Sequence, residues 1–110
     1  MAFKAREALV AGLLTAASAC GGYTYTLTPS AKAPLSPKAP GCDFQVVNLA
    51  PQGNFVEVAT LTPDAFPPTD PTEFRNAIQA DVCRAGGDVV VAEVNGRGGY
   101  VRGTVLKKQP

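Results

Sequence analysis

The residues best equipped for chemistry in this 110-residue chain are its three cysteines, Cys20, Cys42 and Cys83. A thiol can bond to another thiol, hold a metal, attack an acyl carbon or carry a lipid. The other residues narrow the choice. There is no histidine, so no Cys-His or Ser-His-Asp machinery can be built and no imidazole ligand exists. No serine follows Ser36, which removes a serine nucleophile from the later part of the chain. Asp88 and Glu93 lie five apart on one predicted strand and so point to opposite faces, which is wrong for an acid/base pair. Asp64 and Asp70 flank a loop without the ligand density of a calcium site. The stretch Asn95-Gly96-Arg97-Gly98-Gly99 is glycine-rich but lacks the spacing of a phosphate loop. It lies between two predicted strands and reads as a hairpin turn. No catalytic residue, metal site or cofactor is expected.

Cys20 stands in the stretch TAASACGGY, after a short segment containing Lys4 and Arg6 and the apolar run Ala8–Ala17. As a helix those ten residues, all apolar but Thr15, span about 15 Å, half of a bilayer core that is roughly 30 Å thick. A charged start, a short apolar run and small residues before a cut describe a secretory leader over residues 1–19. Two cuts fit. Ala17-Ser18-Ala19 matches the pattern of ordinary signal peptidase. It also resembles a bacterial lipobox, with Ala17 in place of the usual leucine and Cys20 as the first mature residue. Gly21 and Gly22 follow, then a long proline-punctuated segment. Acylation of Cys20 also explains an odd cysteine in an oxidising compartment, because it leaves Cys42 and Cys83 as one disulfide pair.

Charge is unevenly spread. Between Cys42 and Leu106 four arginines face eight acids, a net charge of −4, while the lysines lie outside at Lys32, Lys38, Lys107 and Lys108. No concentrated basic face is available for nucleic acid. Residues 20–41 read as a lipidated start and a disordered tether. Thr28–Gly41 holds Pro29, Pro34, Pro37 and Pro40. As polyproline II these fourteen residues would reach about 43 Å.

Residues 42–107 carry the folding signals. Asp43–Ala50 and Phe55–Leu61 are strand candidates around the Pro51-Gln52-Gly53-Asn54 turn cluster, which predicts an antiparallel hairpin. Asp70-Pro71-Thr72-Glu73 places a carboxylate at the N-cap, proline at N1 and glutamate at N3. Phe74, Ala77, Ile78, Val82 and Ala85 then recur at helical spacing, and Gly86-Gly87 ends the run, so a helix is predicted over Pro71–Ala85. Asp88–Val94 and Tyr100–Lys107 are two further strands. The result is an α+β fold of order ββαββ, one antiparallel-rich sheet packed by one helix. Cys83 falls off the apolar stripe of Phe74, Ile78 and Val82. That placement works against the ~7 Å Cα separation a bond to Cys42 requires. Phe66, in a loop with Pro63, Pro67 and Pro68, is the one candidate for partner contact; folding back over a sheet edge is the commoner arrangement for such a residue.

The segment Phe74–Glu93, with its VCRAGGDVVVAE run, resembles small bacterial envelope lipoproteins, among them the outer-membrane sensor lipoprotein of the Rcs stress pathway. The resemblance implies a disulfide-bonded domain on a proline-rich stalk, held to a membrane by lipid. With Gly21 rather than aspartate after Cys20, it implies the outer membrane, the domain facing the periplasm or the surface. The expected function is a non-enzymatic interaction or sensor module whose partner is an envelope protein or cell-wall component. The competing expectation is a soluble secreted domain.

Overall fold

A computed structural model describes residues 22–31 and 33–110; the leader and Cys20 lie outside the described residues. Five strands and one helix follow in the order β1 Tyr25–Pro29, β2 Gln45–Val47, β3 Phe55–Pro63, α1 Pro71–Ala85, β4 Val89–Val94 and β5 Tyr100–Lys108. The strands make one mixed sheet, ordered β1-β3-β5-β4-β2. The α+β class and the ββαββ order from Cys42 onward hold, and β1 adds a fifth strand.

Local chemistry sets the ends of α1. Asp70 has an extended backbone and its carboxylate accepts the Glu73 N–H at 3.1 Å, satisfying one of the donors a helix start leaves unpaired. At the other end Gly86 adopts φ 80, its N–H meets the Cys83 carbonyl, and the Gly87 N–H meets that of Val82. That pair of bonds is a Schellman ending, which needs a residue at ease in the left-handed region. Space gives a second reason for glycine, because a Cβ at position 86 would lie 2.0 Å from the Ser36 carbonyl oxygen.

The helix lies on β1, β3 and β5. Phe74, Ile78 and Val82 are fully buried against a sheet face that includes Leu61, Val90 and Val105. Phe74 stacks on Tyr100 with ring centroids 4.5 Å apart and meets Tyr25 edge-on at 5.4 Å. Position 103, opposite Leu61 in β3, is glycine, and a Cβ there would come within 3.0 Å of the Val90 side chain. On the other sheet face one residue from each strand forms a row: Thr28, Thr60, Thr104, Val91 and Val47.

Two expectations are corrected. The predicted hairpin of Asp43–Ala50 with Phe55–Leu61 does not form. Only Gln45–Val47 is strand, and it runs parallel to β4 at the far edge of the sheet. Both edges of β3 are taken, by β1 and by β5, so no edge is left for β2. The second correction concerns the tether. Tyr25–Pro29 pairs antiparallel with Ala59–Pro63, and Ala33, Leu35 and Cys42 pack against the core. Prolines cannot donate, but Ser36 and Lys38 between them do. Their N–H groups reach the Ala85 and Cys83 carbonyls at 3.4 and 2.7 Å, among the acceptors a helix end leaves open. The fold therefore starts near Tyr25, and residues 33–42 are a strap across the end of α1.

Replacing Asp70 with alanine removes the cap and is expected to lower the stability of the protein by about 1 kcal/mol. An unchanged denaturation midpoint would show that Asp70 carries no cap energy.

Candidate functional site

The chemistry-bearing side chains fall into two groups. The first surrounds the disulfide. Cys42 and Cys83 are bonded, with Cα atoms 5.7 Å apart. Cys83 is only 2% exposed although it lies off the apolar stripe. It belongs instead to a second stripe on the helix, Arg75, Gln79 and Cys83, spaced at i, i+4 and i+8. This stripe binds one stretch of chain from end to end. The Arg75 guanidinium donates to the Phe44 carbonyl at 2.7 Å and to the Asp43 carboxylate at 3.0 Å, and it lies 4.1 Å over the Phe44 ring. The Gln79 amide donates to the Cys42 carbonyl at 2.7 Å. Cys83 then supplies the covalent bond. The spacing was present in the sequence; its meaning depended on knowing that residues 42–44 run alongside.

Beyond the disulfide, the Lys38 ammonium donates to the Gly87 carbonyl at 3.0 Å and pairs with the Asp88 carboxylate. The other Asp88 oxygen accepts the Lys108 N–H at 2.8 Å. Partial burial works against the charge on Asp88. The Lys38 hydrogen bond, the Lys108 N–H and the nearby charges of Lys38 and Lys107 outweigh it and hold the carboxyl below its usual range. Asp88 is thus a clamp for the strap rather than a free acid, and Glu93 faces Arg102 at 3.5 Å.

Asp64, Asp81 and the glycine-rich turn are similarly engaged. Thr26, then Thr24, hydrogen-bond to Asp64 and lower its pKa, while Asp81 pairs with Arg84. In the turn, the Asn95 side chain accepts the N–H groups of Arg97 and Gly99 at 3.0 and 2.9 Å, and the Gly98 N–H meets the Asn95 carbonyl. Those N–H groups face inward to the turn and are committed before any anion arrives. Among the described residues no group of three His, Cys, Asp or Glu side chains is placed to hold a metal.

The second group lies at the end of the sheet where α1 begins. Phe66 does not fold back over a sheet edge; it is 89% exposed, lining a hollow with Pro67, Asn95 and Arg97. The loop that carries it is held to the sheet by the Tyr100 N–H on the Pro68 carbonyl at 2.9 Å. The prolines stiffen this loop and leave the ring projecting. Leu49 is 82% exposed, Val94 45% and Tyr23 38%, and these four are the large hydrophobic side chains exposed among the described residues. All four sit at this end. Tyr23 precedes Thr24, whose carbonyl accepts the Asp64 N–H; Val94 leads into the Asn95 turn; and Asn48, next to Leu49, shares a hollow with Pro71 and Tyr100.

No family model, no curated protein and no solved structure matches this chain.

Two outcomes follow from the first group. Changing both Cys42 and Cys83 to alanine opens the closed loop and is expected to cost about 2–4 kcal/mol by chemical denaturation. The depressed Asp88 carboxyl contributes stability that is present above the ordinary aspartate value of about 3.9 and lost as pH falls through its lower folded value. Asp88→Asn should therefore lower stability at pH 7 and flatten the loss on acidification below about pH 4. An acid limb identical to that of the parent chain would remove Asp88 from this role.

Proposed function

We propose that this protein is a lipid-anchored, non-enzymatic module of the bacterial cell envelope, exported by residues 1–19, cut before Cys20 and acylated on that cysteine. One observation carries the reading. Cys42 and Cys83 are joined to each other, which leaves Cys20 as the odd cysteine of a chain that needs an oxidising compartment. That cysteine follows a leader-like segment and the small residues of a cleavage site. Several acyl chains, at ~0.8 kcal/mol per buried methylene, hold a protein to a bilayer where one chain would not.

The non-enzymatic part of the reading is supported by how six of the eight carboxylates between Cys42 and Leu106 are used. Asp43 pairs with Arg75, Asp64 with Thr26, Asp70 caps α1, Asp81 pairs with Arg84, Asp88 holds the strap and Glu93 faces Arg102. These groups build structure. Such a module works by contact, and the partner we assign is an envelope protein or cell-wall component, with Gly21 after the cysteine favouring the outer membrane.

Cells fed an alkyne fatty acid provide the test. The parent chain should take up label and fractionate with membranes, whereas Cys20→Ala should do neither. Equal labelling of both, or a mature mass without lipid, would establish the soluble secreted form instead.

A further inference from the structure

The chain enters the sheet at one end, and the point of entry is fixed. Thr24 is held by the Asp64 N–H at 3.1 Å, and Tyr25 begins β1 opposite Pro63. Cys20 precedes Thr24 by four residues. Whatever path those residues take, they reach at most about 14 Å. The proline-rich residues expected to lift the domain away from its anchor lie after β1, folded against the helix, and add nothing to this distance. On the lipid-anchored reading, on which this inference rests, the bilayer surface is therefore close to the end of the sheet that receives the chain. The same end carries Phe66, Leu49, Val94 and Tyr23.

We infer that this end is a membrane-contact face, with Phe66 seated in the interfacial layer of the bilayer that holds Cys20. Tyr23 is suited to that layer, with an apolar ring and a polar tip. The exposed guanidinium of Arg97, in the same hollow as Phe66, is placed to meet a lipid phosphate. Net charge does not drive the contact, since Asp64, Asp70, Glu73 and Glu93 share this end with Arg97 and Arg102. The drive is apolar, and a few side chains suffice because the anchor makes the encounter intramolecular, at a high effective concentration. The face works as a rest that sets the orientation of the domain, with the start of β3 at Phe55 and the Lys107-Lys108 end of β5 directed away from the lipid.

The chain contains no tryptophan, so a single introduced indole reports one place. Phe66→Trp puts it on the proposed face, at a side chain that is 89% exposed. Gln109→Trp puts it at the opposite end, where the Gln109 N–H meets the Asn54 carbonyl. Each full-length protein is purified from membranes and reconstituted into phosphatidylcholine vesicles with brominated acyl chains. The expected result is a blue-shifted emission, quenched by bromine, at position 66 and neither change at position 109. Absence of quenching at 66 in a preparation whose Cys20 carries fatty-acyl label overturns the contact and leaves the anchor standing, with the face free for a protein partner. Equal quenching at both positions also overturns it, because the domain then has no preferred end. A preparation without acyl label overturns the anchor itself.

Discussion

The last turn of α1 is the joint on which the architecture closes. Its carbonyls at Val82, Cys83 and Ala85 accept from Gly87, from Gly86 and Lys38, and from Ser36. Its Cys83 is bonded to Cys42, and just beyond it Lys38 holds Gly87 and Asp88. Unpaired helix carbonyls at a covered end are costly, and the strap removes that cost with groups from the other half of the chain. It also brings β1, on one side of the sheet, and β2, on the other, into one connected piece. The helix itself lies on β1, β3 and β5, and the strap with its disulfide carries the chain from there to β2.

How legible each part was depends on whether its determinants are local. The helix was read to the residue because the Asp70 cap, Pro71 and Gly86 act within a few positions of themselves. The turn at Asn95–Gly99 and the alternation in β5, with Gly103 and Val105 inward and Arg102 and Thr104 outward, are local as well. Strand β1 was not legible as part of the sheet. Its partners in β3 are thirty or more residues away, and its short Tyr-Thr-Leu-Thr run is followed by prolines that look like a stalk. The Thr-Leu-Thr-Pro of β1 does recur at Thr60–Pro63, and the two runs pair around Leu27 and Leu61. This internal repeat was the available sign that they belong together. The parallel placement of β2 was hidden for the related reason that sequence neighbours usually pair, and here a distant strand had already taken the place.

Of the candidate site residues, Cys42 and Cys83 are brought together by a stripe whose side chains are polar, so hydrophobic periodicity could not reveal it. Phe66 is exposed because its loop, bounded by prolines and fixed at Pro68, cannot bring the ring back to the sheet. The carboxylates that a search for catalysis would single out are distributed among caps, clamps and surface pairs. The chemistry of this chain is concentrated in holding its strap and in presenting exposed apolar side chains at one end.

The disulfide also has a mechanical meaning. A pull on the N-terminus acts first on β1, whose bonds to β3 alternate: the Asp64 N–H to Thr24 and the Ser30 N–H to Val58 put them on the even-numbered positions, where the side chains of Thr26 and Thr28 are exposed. Once β1 is stripped, the strap is next, held by single hydrogen bonds and one ion pair. Peeling then stops at Cys42, where the load passes through sulfur into α1 and spares β2 through β5. The chain thus divides into an extensible leading segment of one strand and one strap, and a locked remainder. Under tension it would lengthen by the first without losing the second.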